Sequence, residues 1–326
     1  MITFWFSVVV LAWVLFFVLE GFDFGVGLLG PLLGRDDHER GAAVRTIGPF
    51  WDGNEVWLVA AIGATFAAFP GWYAALLSGL YLPVVVVLLL LAVRGVALEF
   101  RGKGDGLRWR RRADVLLAAS SAGIVAVWGA LLAAFTRGLA LRADGSVTGH
   151  GLGRSLSPVL SGAGALGALA ALFATALLGA TFLALRTSGP LRRRARTLAR
   201  WLGTGGAVTL LTIGIGTGSR IVLAAAALSF ATALLARGGR EALAFTTTAL
   251  GVAGAVVTVF TAHGDVVLGS TLNPAWSLTT TTAAASHSTL HLLTVASLII
   301  LPGVLAYQAF SYWIFRRRVA SERIPT

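Results

Sequence analysis

Apolar residues run along this chain in stretches of about twenty, each closed by charged residues or by Gly and Pro. A helix needs about 20 predominantly apolar residues to cross ~30 Å of hydrocarbon, so stretches of that length are the natural unit of reading. Nine stand out, at 4–29, 49–69, 72–98, 113–135, 158–185, 201–217, 221–236, 242–262 and 287–315. The pattern predicts an all-α polytopic membrane protein of about nine transmembrane helices, arranged as two four-helix bundles plus one peripheral helix. The whole of 1–326 reads as a single integral membrane domain with no soluble domain. The sixth and seventh stretches are short and meet at a turn over 216–220, which makes eight spans the alternative count. The longest connections, 136–157 and 263–286, fall on one side. The first span has neither a basic leading segment nor a small-residue cleavage site, and reads as a retained helix rather than a signal peptide.

Composition sharpens the class. Hydrophobic residues make up 56% of the chain and charged residues 12%, with a mean hydropathy of +0.82. Soluble domains carry roughly 25% charged residues, so an ordinary soluble enzyme is excluded. The net charge of +12 would point to nucleic acid in a soluble chain, but in a membrane chain basic residues first report orientation. No nucleic-acid partner is expected. Nine spans divide the basic residues 21 to 4, with Arg94 alone inside a span. The larger group includes the tail, Arg316, Arg317, Arg318 and Arg323, and the smaller is Arg137, Arg142, Arg154 and Arg220. By the positive-inside rule the N-terminus is outside and the C-terminus cytoplasmic, and nine spans fit better than eight. Cysteine is absent, which excludes disulfides, thiolate metal sites, iron–sulfur clusters and covalent c-type haem in this chain.

Ionisable residues inside spans cost roughly 2.5–3.5 kcal/mol each on insertion scales, and they need a partner or a purpose. Glu20 and Asp23 lie three apart in the first span, on one helix face. Asp52 and Glu55 repeat the spacing in the first turns of the second span, at the same cytoplasmic depth. Four carboxylates at one depth suit proton relay, because neighbouring like charges raise one another's affinity for a proton. Asp52 and Glu55 also have a structural reading: they follow Pro49 at a helix start, where acids complement the helix dipole and reach water. Glu20 and Asp23, in mid-span, fit a polar path or a buried cation partner. Gly21 and Gly25 flank Asp23 in a small-xxx-small pattern that permits close helix contact.

Arg94, about two turns inside the third span and followed by Glu99 and Arg101, is the counter-ion candidate, with Glu99 beside it. Snorkelling to the interface is the alternative for Arg94. Trp51, Trp57, Trp72 and Tyr73 lie near span ends and read as an aromatic belt. His287 and His291, four apart on the last span, have the spacing of haem or metal ligands. No third ligand accompanies them, a structural pair near the outer interface is the simpler reading, and no metal site is expected.

The same residues carry a resemblance. Glu20-Gly21-Phe22-Asp23-Phe24-Gly25-Val26-Gly27 resembles the acidic-Gly-Phe-Asp-x-Gly-Val-Gly segment of cytochrome bd quinol oxidase subunit II. The run from Gly48 to Leu58, with Trp51-Asp52-Gly53-Asn54-Glu55-Val56-Trp57 at its centre, resembles that family's Pro-x-Trp-Asp-Gly-Asn-x-Val-Trp signature. Further matches are Phe66-Ala67-Ala68-Phe69-Pro70, Tyr73-Ala74, Arg94 with Glu99-Phe100-Arg101, Asn273-Pro274-Ala275-Trp276-Ser277-Leu278, and Ala306-Tyr307-Gln308. They cover the first hundred residues continuously and the last fifty more loosely.

The resemblance implies a subunit of a bacterial membrane quinol oxidase, in the cytoplasmic (inner) membrane, that ligates no haem and is inactive alone. Its partner would be a haem-bearing subunit I of similar architecture, which carries haems b and d, oxidises quinol and reduces oxygen to water. Small single-helix accessory subunits, lipid and a structural quinone are further partners it implies, with no residue here assigned to the quinone. Carried over by motif, Glu20, Asp23, Asp52 and Glu55 belong to a cytoplasmic proton path toward the oxygen-reducing haem. Trp57 matches a tryptophan at the mouth of an oxygen channel. This sequence departs from the family at Phe50, where members often have histidine, so a relay that needs that imidazole is not available. The short turn at 216–220 replaces a long outer loop of some members, and His291 falls where the family reserves no histidine. Apart from the resemblance, the same acids would serve a proton- or cation-coupled transporter, whose paired broken helices and midplane substrate site are not evident.

Overall fold

The computed structural model describes residues 1–104 and 106–321; Arg323 of the basic tail lies outside them. Twelve α-helices follow one another: α1 (Ile2–Leu33), α2 (Asp37–Ile47), α3 (Trp51–Ala68), α4 (Pro70–Gly79), α5 (Tyr81–Phe100), α6 (Leu107–Arg137), α7 (Gly151–Leu156), α8 (Gly162–Arg186), α9 (Gly189–Thr217), α10 (Arg220–Arg237), α11 (Glu241–Thr261) and α12 (His287–Ile314). Among the described residues the strands form two short pairs. β1 (Thr187–Ser188) runs parallel to β4 (Val319–Ala320), and β2 (Val266–Leu268) pairs antiparallel with β3 (Leu278–Thr279).

Among the described residues eight helices, α1, α5, α6 and α8 to α12, are long and apolar enough to cross a membrane. The shortfall from nine does not come from the short pair. α9 and α10 are separate helices, with Gly218 in the left-handed region (φ +66°) and the Ser219 hydroxyl accepting the Val222 N–H. It comes from α3, whose 18 residues carry Asp52, Asn54 and Glu55 in their first turns. α3 nevertheless runs antiparallel along α1: Asn54 meets Asp23 near one end, and Phe69 meets Phe6 at the other.

Two stretches differ from the sequence reading. The run 72–98 is broken at Leu80 into α4 and α5, because Pro83 has no N–H to give the Gly79 carbonyl. The connection after the first span holds a helix, α2, whose start is built by Asp36 accepting the Glu39 N–H (2.8 Å) and Glu39 accepting the Arg35 N–H (2.6 Å).

Packing centres on α1, which touches α3, α6, α8 and α11. α8, α9, α10 and α11 close a ring of four on one side, while α5 packs on α6 on the other. Small residues set the closest approaches. A Cβ on Gly25 would lie 2.3 Å from the Thr175 carbonyl oxygen, and one on Gly129 would lie 2.3 Å from the Gly167 oxygen, so α8 meets α1 and α6 backbone to backbone. Inside a membrane such contacts replace the hydrophobic driving force that lipid removes.

α12 lies at the edge against α3, and among the described residues Leu290 is its one buried side chain. Polar clamps hold it at both ends. The Trp5 indole N–H donates to the Leu290 carbonyl (3.2 Å) and the Thr294 hydroxyl (3.0 Å). At the other end the Asn54 side-chain oxygen accepts from Gln308 (3.0 Å) and Tyr312 (2.7 Å).

The arginines that report orientation also tie one end of the bundle together. Arg101 binds Asp114 (2.6 Å) and Asp37 (2.9 Å), Arg40 binds Asp114 (3.1 Å), and Arg110 binds Asp37 (2.7 Å). Arg194 holds Glu39 and Arg192 holds Glu241 in the same region. At the opposite end the two long connections meet, with the Leu139 N–H on the Gly269 carbonyl (2.9 Å) and the Ser270 hydroxyl on the Leu141 carbonyl (2.8 Å). The belt reading fails for Trp57 and Trp72, which are buried. Trp72 packs among Phe6, Phe69, Phe135 and Phe260, where its ring covers more apolar surface than at an interface.

Candidate functional site

Two of the intramembrane acids sit at the core of the molecule. Glu20 and Asp23 are wholly buried on α1, enclosed where Gly21, Gly25 and Gly27 let α8 and α6 close in. Arg94 of α5, also wholly buried, reaches Glu20 with an N···O distance of 3.7 Å and lies 4.9 Å from the centre of the Phe24 ring. This is a charge pair without a hydrogen bond. Among the described residues neither Glu20 oxygen and no Arg94 nitrogen has a hydrogen-bond partner. Arg94 therefore points inward as a counter-ion and does not snorkel. Removing one member of such a pair typically costs about 3–5 kcal/mol, because the other is left charged and buried.

Asp23 is held differently. Its Oδ2 accepts the Asn54 side-chain N–H at 2.5 Å, and its Oδ1 has no hydrogen-bond partner among the described residues. Asn54 is itself buried and pinned by Gln308 and Tyr312 from α12. The Tyr312 ring stacks on Phe50 at 4.5 Å with an interplanar angle of 6°, and the Arg186 guanidinium lies 5.6 Å from the centre of the Phe50 ring. Phe50 thus serves as a stacking platform for the residue that anchors Asn54.

Glu55 is partly buried, within electrostatic reach of Glu20, Asp23 and Arg94. Asp52, exposed in the first turn of α3, is within reach of Glu55. The four acids therefore form a graded series from an exposed carboxylate to two buried ones. Glu99 stays outside this cluster, on the surface with Lys103 (3.4 Å). His287 and His291 are exposed at the start of α12, and no group of three or more His, Cys, Asp or Glu among the described residues is placed to hold a metal.

Asn54 and Gln308 stood in the motifs that carry the resemblance, but neither they nor Tyr312 was given a role, because a search for charge inside spans passes over neutral polar groups. One signal was available: Gln308 and Tyr312 are four apart and share a face of the last span. A separate apolar cavity of about 90 Å³ lies among Trp13, Thr65, Trp72, Trp128, Phe135 and Phe260.

A family model described as cytochrome bd terminal oxidase subunit II matches residues 1–315. Cytochrome bd ubiquinol oxidase subunit 2 of Bacillus subtilis (strain 168) is 37% identical over 347 residues, covering 99% of this chain and 98% of that protein. Cytochrome bd-I ubiquinol oxidase subunit 2 of Escherichia coli (strain K12) is 31% identical over 351 residues, covering 95% and 92%. Among solved structures, the bd oxidase from Geobacillus thermodenitrificans has a chain that superposes with a TM-score of 0.66 at 17% identity, covering 96% of this chain and 98% of that one, a likeness of fold.

Proposed function

The chain belongs to the cytochrome bd terminal oxidase subunit II family, a subunit of a respiratory quinol oxidase, and on that premise we propose that it pairs with a haem-bearing subunit I and supplies that partner with a proton path. The observation that carries this reading is the graded series of acids, from exposed Asp52 to buried Glu20 and Asp23 beside Arg94. Asp52, exposed at the arginine-rich end, takes up a proton. Glu55 relays it inward to the Glu20 and Asp23 pair. Arg94 favours one charged carboxylate beside it, and repulsion among the acids makes a neighbour hold a proton and release it readily. With the N-terminus outside, uptake is from the cytoplasm of a bacterial cell.

The donor set of this chain does not fit haem ligation within the bundle. Its five histidines, His38, His150, His263, His287 and His291, all lie at exposed or partly exposed positions, Met1 is its one methionine, and cysteine is absent. Haems b and d are therefore assigned to subunit I, and the isolated chain is inactive. Quinol is the substrate of the complex; a structural quinone, lipid and single-helix accessory subunits are further partners. The apolar cavity and buried Trp57 support a second contribution, a dry route for oxygen toward the partner.

Quinol-driven oxygen consumption by the assembled complex carrying Asp23→Asn or Asp52→Asn tests the path, with haem spectra as the check on assembly. Turnover should fall about tenfold or more. Wild-type consumption with wild-type spectra in both variants would overturn it. A haem-free homo-oligomer that drives cation uptake in proteoliposomes would favour a transporter instead.

A further inference from the structure

We propose that Asn54 is a positioning residue: its amide, oriented by Tyr312 and Gln308, keeps the transferable proton of Asp23 on Oδ1. The role rests on the proton-path reading above. An asparagine side chain offers one acceptor oxygen and one NH₂ donor group. Here the oxygen receives two donors from α12, the Tyr312 hydroxyl at 2.7 Å and the Gln308 amide at 3.0 Å. The NH₂ group is therefore turned to Asp23 and donates to Oδ2 at 2.5 Å. Reversing the amide would set a carbonyl against the Asp23 carboxylate, and would need the Gln308 amide to turn and the Tyr312 hydroxyl to accept instead of donate.

An oxygen that accepts an N–H in both protonation states leaves the other oxygen to carry the proton. That oxygen is Oδ1, which makes no hydrogen bond among the described residues and is free to pass its proton on. The ionisable groups facing Asp23 are Glu20 on its own helix, Glu55 on α3, Arg94 on α5 and Tyr312 on α12. α6, α8 and α11 meet this stretch of α1 with Ser121, Leu178, Gly179 and Phe245, none of which titrates, and Arg186 at the end of α8 lies 5.6 Å from the centre of the Phe50 ring, beside Tyr312. Asn54 thus acts through Asp23 without being a step in the path.

The test is the pH profile of quinol-driven oxygen consumption in the assembled complex with Asn54→Leu and with Tyr312→Phe. Asn54→Leu removes a donor that favours the charged carboxylate, so its profile moves to higher pH by about one unit. Tyr312→Phe, which lets the amide turn, moves it the same way by less. Neither substitution moves the profile of the residual turnover in an Asp23→Asn background. The infrared band of the protonated Asp23 carboxyl, assigned by its loss in Asp23→Asn, shifts in Asn54→Leu.

Unmoved profiles and an unmoved band in complexes that assemble, with Asp23→Asn still impaired, would overturn the positioning role and leave the path standing. A shift that persists in the Asp23→Asn background would overturn it too, since Asn54 would then act elsewhere. Wild-type turnover in Asp23→Asn would remove Asp23 from the path and this role with it. If Asn54→Leu does not assemble, Tyr312→Phe provides the same readout.

Discussion

Gly25 of α1 and Gly179 of α8 touch backbone to backbone, so that a side chain on either would lie within 2.3–2.7 Å of the other's main chain. The contact seals one flank of the helix turn that carries Asp23. Gly25→Ala must push α1 and α8 apart, at a cost of about 1–3 kcal/mol, and lower the thermal midpoint of the purified complex by several degrees. Gly205→Ala on α9, where an added Cβ meets nothing within 4 Å, should leave the midpoint unchanged or raise it slightly. Equal effects at the two glycines would show that the crossing is not tight.

Glu20 and Arg94 should behave as a unit. Arg94→Met leaves a carboxylate buried without its cation, and Glu20→Leu leaves the cation without its carboxylate, each at about 3–5 kcal/mol. The double substitution replaces both by apolar side chains and recovers most of that loss in thermal stability, though not turnover. A double variant no more stable than the singles would show that the pair is not held by charge.

The arginine-rich end predicts a defined response to acid. Burial opposes the charge of Asp37, but hydrogen bonds and charges from Arg110 and Arg101 outweigh it and hold the carboxyl below its ordinary range. A carboxyl lowered in the folded state adds stability that is complete above its unfolded value of about 3.9 and is lost as pH falls through the folded value. Between about pH 5 and pH 8 the Asp37 clamp therefore contributes a constant amount. Thermal midpoints in detergent should drop more steeply below about pH 4 in the wild type than in Asp37→Asn, and parallel curves would count against the clamp.

The cavity beside Trp72 predicts a change in oxygen use alone. Leu132→Trp sets a larger ring at the wall of this apolar cavity of about 90 Å³ and narrows it. The KM for oxygen should rise at least about twofold with the KM for quinol unchanged, as expected for lost access rather than lost chemistry. Equal values for oxygen in both proteins would remove the cavity from the route.

Much of the fold was legible because bilayer thickness dictates run length: the apolar stretches return as helices, and the turn between α9 and α10 falls where Gly218 and Ser219 announce it. The break at Leu80 was missed because Leu76, Leu77, Leu80 and Leu82 keep the run apolar across it, although Ser78, Gly79 and Pro83 mark it. Charge inside spans led directly to Glu20, Asp23 and Arg94. The same criterion overvalued Glu99, whose helix turns it to the surface, and passed over Asn54, whose importance lies in partners 254 and 258 residues away. Trp57 and Trp72 were misplaced because position near a span end does not say which way a ring faces.

Those long separations tie the site to the order of synthesis. The donors that Asn54 accepts arrive on α12, after every other long helix has been made. Until α12 docks, the Asn54 oxygen lacks both of its donors. α12 thus completes the polar contacts that reach Asp23 on α1, and a chain cut short before Gln308 would leave the Asn54 oxygen without either donor.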